Sequence, residues 1–559
     1  MIIPSLSRLP ADGQHTDVCI VGAGPAGIVL ALELADLGLH VLMLESGVQR
    51  YDRRVQALAD AHVDPARHAP LHEATRRQFG GTSAIWGGRC VPMDPIDFEQ
   101  RDFVPHSGWP IPYAEVAAHY PAACRYAGCG RADFDAHTAF QHAPPGIVPG
   151  LPDADVSSSS LERWASPTEF ARAYRRRIAR DESITLALDA TCIAINCSQD
   201  PHAVSSLTVQ SLSGTRTEVK ARVYVIAAGG LESTRLLLNS DRVHPGGIGN
   251  HGGQLGSFYM GHPSGKIADV QFLTRPEETV FQFERDPARV YCRRRFTIAP
   301  QMQREKGLLN CALWLDNPRL ADASHRNGIL SFAYLALSAP GLNRFLAPEA
   351  IVKAAIEAPL ASEISEHVKN VLRDTLAVAS FVPSFAYRRY IARRRVPGFF
   401  LRSSSNRYAL HYHAEQAPNA SSRVRLSAET DELGMRRLLV DLRFSALDAS
   451  SVVATHRLLD SHLRRHHCGR LIWKYDDLEA AVLSQARDGF HQAGTTRMSS
   501  APEGGVVDPH CRVHGVNNLY VCSSSVFPTS GQANPTLTVL ALALRLAHHL
   551  APALMRDPS

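Results

Sequence analysis

Three glycines, Gly22, Gly24 and Gly27, stand between the apolar runs at residues 17–21 and 41–44, and they constrain this chain more than any other feature. Each has its own steric task. The first permits a tight turn after a buried strand, the second lets backbone approach a pyrophosphate, and the third lets a helix pack closely. A helix is predicted over 28–37, with Gly38 as its left-handed end. The second strand ends at Glu45, an acid placed to accept ribose hydroxyls and repel a 2′-phosphate. The helix N-terminus would offer free N–H groups to the phosphates. A dinucleotide-binding βαβ unit follows.

Two more glycine turns lie downstream. Residues 80–88 hold four glycines in nine residues, so that loop must approach something closely. The apolar strand at 222–228 runs into Gly229 and Gly230 and a helix over 231–239, which repeats the N-terminal logic. An NAD site needs only the first turn. A flavin, with its ribityl chain and flat ring, needs several, so FAD is the expected cofactor.

At 559 residues the chain exceeds one hydrophobic core. From 266 to 474 its character changes. Alternation at 266–274, 308–315 and 407–413 predicts a sheet with one covered face. Residues 342–382 read as amphipathic helices. The basic run from Arg388 to Arg395 could touch a membrane surface, a partner or an acidic substrate, or simply be a solvated helix end. The last 80 residues return to tight turns and apolar segments, ending in a helix at 535–550. The expected architecture is α/β: a Rossmann-like FAD-binding domain (1–265 and 478–559) with an inserted α+β substrate domain on an antiparallel sheet (266–477).

A net charge of +5 is small for this length and argues against nucleic acid. Eleven scattered cysteines without a CxxC pair indicate neither disulfides nor a metal site. There is no signal-like start and no apolar stretch of about 18 residues, so a cytoplasmic protein without a transmembrane segment is expected.

The chain resembles the glucose–methanol–choline (GMC) oxidoreductases. Four blocks carry the likeness: 17–47; 80–93 with 107–111; 225–238; and 491–546, which contains His491-Gln-Ala-Gly-Thr-Thr-Arg-Met498 and Ala533-Asn-Pro-Thr536. The ending looks closest to the branch containing pyranose 2-oxidase. The resemblance implies FAD contacts at Gly22, Gly24, Gly27, Glu45, Gly81, Thr82, Trp86, Gly87, Gly88, Ala228, Gly229, Ser524 and Thr536, and a catalytic pair at His491 and Asn534. Where pyranose 2-oxidases attach their flavin through a histidine, this chain has Ile85, so FAD is expected to be non-covalent. Many relatives have Asp where Ser523 stands here, and Gly where Ser499 follows Met498.

Removing a hydride from an alcohol carbon requires that the hydroxyl proton also leave, and imidazole suits that task near neutrality. His491 is the candidate base. Asn534 has two readings, a substrate contact beside His491 or an N-cap for the helix that Pro535 would open. The N–H groups of Thr536 and Leu537 would face the flavin ring and stabilise its reduced form. His411, His413 and Glu415 alternate along a strand and could line the substrate cavity. The expected reaction is hydride removal from a CH–OH group of a sugar, polyol or glycosylated small molecule. Oxygen, a quinone or another carrier stays open as acceptor. The alternatives are lyase or light-driven flavin chemistry, or a non-enzymatic flavoprotein.

Overall fold

The computed structural model describes residues 1–9, 16–140, 146–197, 201–347, 349–356 and 364–556. Residue 348 and residues 357–363 of the expected helical span lie outside the described residues. A 6-stranded sheet carries the N-terminal motif, and all its neighbouring strands run parallel. Val18–Val21 lies between Val41–Leu44 and Val223–Ile226, and the late strand Leu519–Val521 adds beside the last. Val18, Cys19 and Ile20 are fully buried. Helices cover one face and the three-stranded sheet at residues 191–219 packs on the other, so these strands read as continuous rather than alternating apolar runs. The two ends of the chain therefore meet in one sheet.

Two helices complete that layer. Pro25–Asp36 packs against the C-terminal helix Thr536–Arg556. The C-terminal helix is long and apolar enough to cross a bilayer, but 72% of its most apolar stretch is buried inside the protein. Leu537, Leu540, Ala541 and Leu544 join Ile28 and Leu32 in the main core, which makes it a core helix.

The second layer is an 8-stranded antiparallel sheet. It includes Ser264–Phe272, Cys311–Asp316 and Arg407–Ala414, the three segments whose alternation predicts a half-covered sheet. Along Arg407–Ala414, Leu410 and Tyr412 face a core shared with the helix Ala446–Arg465, where Tyr412 meets His456 edge-on at 5.7 Å. His411 and His413 take the opposite face, as the period of two requires. The sheet is not made from 266–477 alone. Val156–Trp164 and Arg89–Cys90 also pair into it, and the buried Glu162 forms ion pairs with Arg89 and Arg293 across these strands.

Glu415 is not on the cavity wall. The strand ends at Ala414, and the Glu415 carboxylate accepts two hydrogen bonds from Arg101, at 2.9 and 2.5 Å, and one from the Asn310 N–H at 2.9 Å. Both partners are buried. Removing one member of such a pair strands the other charge, so Arg101→Ala should lower unfolding stability by about 3–5 kcal/mol in urea titration. Arg101→Met with Glu415→Gln should recover much of that loss.

Candidate active site

One cavity of about 1350 Å³ runs from the N-terminal glycine turn to the helices Gly328–Ser338 and Thr375–Ala386. Gly22, Gly24 and Glu45 line one end, followed by Gly81, Thr82, Trp86 and Gly87, then Ala228, Gly229, Ser524 and Thr536. Two of the expected contacts lie off its wall. A Cβ on Gly27 would stand 2.0 Å from the Gly22 carbonyl, so this glycine serves helix packing. Gly88 has a positive φ and would meet the Thr168 methyl at 2.7 Å, so packing also explains it.

The cavity's first end fits a dinucleotide. At Gly22 φ is +108° and a Cβ would lie 2.6 Å from the Ala227 carbonyl oxygen. A Cβ on Gly81 would approach the Gly24 Cα to 2.9 Å, so two glycine turns touch where the helix Pro25–Asp36 begins. No side chain caps that helix, which leaves its first N–H groups free for phosphate. Glu45 accepts from the Ala23 N–H at 2.9 Å on one oxygen and the Gly47 N–H at 2.8 Å on the other. Each oxygen keeps a second lone pair for a ribose hydroxyl. Burial pushes the Glu45 carboxyl up, against the pull of those two bonds and of Arg77. Ser523, where relatives carry Asp, caps the short turn Ser524–Val526 through the Ser525 N–H.

At the next stretch of the wall, His491 is held on both sides. Its Nδ1 lies 3.0 Å from the Asp488 carboxylate and its Nε2 lies 2.6 Å from the Asn534 amide nitrogen. A carboxylate only accepts and an amide nitrogen only donates. Nδ1 therefore carries the proton and Nε2 presents a lone pair. Asp488 also accepts from the N–H groups of His262, Gly489 and Phe490. Burial pushes its carboxyl up, but His491, His262 and these bonds outweigh that and hold it well below the usual carboxylate range.

Asn534 is not the N-cap. The Pro535 carbonyl accepts from the Val539 N–H at 2.9 Å, so Pro535 occupies that position and the helix starts at Thr536. The Asn534 side chain is turned to His491, and its buried Oδ1 has no partner among the described residues. Thr536 reaches the cavity, whereas the Leu537 side chain is fully buried in the core.

The two strand histidines differ. His411 lines the cavity, stacked on Trp314 at 4.5 Å, with Nε2 2.9 Å from Ser264 Oγ and Nδ1 facing Asp316. His413 lies behind the wall, its Nδ1 2.9 Å from the Gln532 carbonyl oxygen. It stacks on His262 at 4.4 Å, and both rings meet His491 edge-on at 5.2 and 4.9 Å. These three histidines place nitrogens within 4.8 Å of one another. Imidazole lone pairs lie in the ring plane, so two stacked rings do not converge on an ion at the ~2.0–2.1 Å a metal needs. Burial lowers His262 to about 3 and His413 well below the usual range, with their neighbours' charge adding to the effect. Both rings are neutral packing around His491.

Asp488 and His262 are absent from the sequence reading. An acid three residues before a candidate base was a usable signal for Asp488. His262 comes from a strand start 229 positions away and carried none.

Residues 15–60 match the FAD binding domain family, and residues 418–543 match the GMC oxidoreductase family. The chain is 24% identical to paromamine 6'-oxidase of Streptomyces fradiae, over 97% of this chain and 92% of that one. It is 22% identical to 2-methyl-1,2-propanediol dehydrogenase of Mycolicibacterium austroafricanum, over 97% and 96%. Among solved structures, a fungal aryl-alcohol oxidase shares the fold at a TM-score of 0.51 and 13% identity, covering 97% of this chain and 100% of that one. Fold and cavity define an FAD-dependent oxidoreductase acting on CH–OH donors. Its C-terminal part, residues 418–543, carries the GMC oxidoreductase match, and the likeness to these relatives runs over 97% of the chain.

Two outcomes follow from this geometry. Gly22→Ala forces a side chain into backbone at a positive φ, and the purified protein should lack visible flavin absorbance. The Asp488 carboxyl is depressed in the fold, so it contributes stability above its unfolded value of ~3.9, and that contribution is lost as pH falls through the folded value. Asp488→Asn should flatten the acid side of a melting-temperature profile between about pH 5 and 3.

Proposed function

We propose that the enzyme takes a hydride from a hydroxyl-bearing carbon of a glycosylated small molecule, with His491 as the base. The observation that carries this reading is His491 on the cavity wall, its ring oriented by Asp488 at Nδ1 so that the Nε2 lone pair meets Asn534. Without substrate, Nε2 and the Asn534 amide satisfy each other at 2.6 Å. An alcohol inserted between them donates its O–H to Nε2 and accepts from Asn534 Nδ2. That arrangement points the carbon's hydrogen away from the base. Bound FAD supplies the hydride acceptor. As the hydride leaves, the hydroxyl proton passes to Nε2, the C–O bond becomes a carbonyl, and the Asp488 carboxylate stabilises the imidazolium. Neutral His262 and His413 exclude water from the far side of the ring.

The walls support the substrate class. Beside His491 stand polar groups, His411, Gln485 and the Lys266–Asp316 ion pair, suited to sugar hydroxyls. Farther out Phe332, Phe381, Phe385 and Phe399 form an aromatic sleeve for an apolar body. A relative matching 12% of this chain at 43% identity, from Microbacterium trichothecenolyticum, is a C-glycoside 3-oxidase. The FAD is held non-covalently, because Ile85 lines the cavity where attachment would need a nucleophile.

His491→Ala should slow anaerobic flavin reduction by about 10²–10⁴-fold while leaving the bound flavin spectrum intact. Near-normal bleaching by substrate would remove His491 from the mechanism. Acid precipitation should release all the flavin into the supernatant; colour left in the pellet would show a covalent bond.

A further inference from the structure

One helix near the cavity's outer end, Ile364–Arg373, carries its apolar residues on the wrong side for a protein core. On Ile364–Arg373 the inward side holds His367 and Asn370. His367 stacks on Tyr334 at 4.1 Å with Nδ1 3.0 Å from Ser331 Oγ, and Asn370 donates to the Ala323 carbonyl at 2.9 Å. The outward side holds Ile364, Val368 and Leu372, and Leu376 in the next helix continues the four-residue spacing, all exposed. A surface helix normally buries its apolar stripe. Here the polar stripe is buried and the apolar one faces out.

A second apolar group sits at the cavity mouth. The Tyr390 hydroxyl donates to the Leu346 carbonyl at 3.0 Å, which seats the turn Tyr387–Ile391 beside the helix Asn343–Leu346. Phe345 (82% exposed) and Leu342 thereby neighbour Tyr387 and Ile391 (73% exposed). Phe332 and Tyr390 line the cavity and are themselves exposed, so the cavity reaches the surface among these residues. Charge marks the same segment. Residues 375–402 hold six arginines and no acidic residue. Arg388, Arg393 and Arg395 are exposed and make no ion pair among the described residues.

We propose that this face docks on an anionic lipid bilayer surface. Its aromatic and aliphatic side chains enter the boundary between headgroups and acyl chains, its arginines meet lipid phosphates, and the cavity mouth faces the lipid. Apolar side chains combined with basic residues bind such surfaces through area and charge together. A second copy of the chain suits the face poorly, because a two-fold contact would set its unpaired arginines against each other.

The test is cosedimentation of the full FAD-loaded protein with vesicles of phosphatidylglycerol and phosphatidylcholine, against vesicles of phosphatidylcholine alone. Wild type should pellet with the anionic vesicles, release at raised salt, and stay in solution with the neutral ones. Combining Arg388→Gln, Arg393→Gln and Arg395→Gln should weaken binding by about five-fold per charge, or about 100-fold. Combining Phe345→Ser, Leu376→Ser and Ile391→Ser should weaken it at least about ten-fold, from the apolar area lost. Flavin absorbance and melting temperature, expected unchanged in both, report intact folding. The proposal is overturned if wild type stays in solution with anionic vesicles, if it pellets equally with both lipids, or if removing the arginines leaves binding unchanged. It is also overturned if light scattering shows a dimer that the apolar substitutions dissociate.

Discussion

Backbone touching backbone is the constraint on which the rest of this structure depends. The Gly22 turn lies against the Ala227 carbonyl, the Gly81 turn against Gly24, and Gly230 against the backbone of Gln492. At each contact a single methyl group would collide. These contacts bring four chain segments, around residues 22–24, 81, 227–230 and 492, to one wall. They also explain why the cofactor end and His491 share one cavity: Gln492 accepts from the Leu231 N–H through its side chain and follows His491 directly. The glycines thus position His491 as well as leaving room for phosphate.

The electrostatics around His491 build on that frame. One buried carboxylate, Asp488, collects three backbone N–H groups and an imidazole N–H, so its charge is satisfied without a cation. Its bond to Nδ1 leaves the Nε2 lone pair facing the cavity. The two other histidines nearby are driven neutral by burial and stack, which supplies a polarisable wall without competing for the proton. Of the three imidazoles, His491 is the one on the cavity wall, and tertiary packing places the other two behind it.

The face over the cavity's outer end follows a different logic. Elsewhere apolar stripes point inward, as along Ile28, Leu32 and Leu540. The helix Ile364–Arg373 instead buries His367 and Asn370 and exposes Ile364, Val368 and Leu372. Composition already flagged the arginines, but periodicity alone cannot tell which stripe of an amphipathic helix faces the protein. The buried stacking of His367 on Tyr334 decides that.

Much of the fold was legible in the sequence because it rests on local rules. Strand–glycine–helix units need particular residues at fixed spacing, and period-two alternation marks a sheet with two unlike faces. The positions of Gly22, Gly24, Glu45 and His411 follow from such rules. The long-range partners do not. Glu415 fits the alternation of its strand, yet it pairs with Arg101, 314 positions away, because the strand ends one residue earlier. Asn534 fits the N-cap pattern, yet Pro535 takes that role and frees the amide for His491. His262 had no local signature, and Asp488 had only its place three residues before His491. The sequence by itself determined which segments become strands, helices and glycine turns, since those choices depend on residues within one or two turns of each other. Only the tertiary structure decided which side chains meet at His491, which are buried neutral and which face outward, because burial and neighbours such as His262, His413 and Asn534 come from separate chain segments.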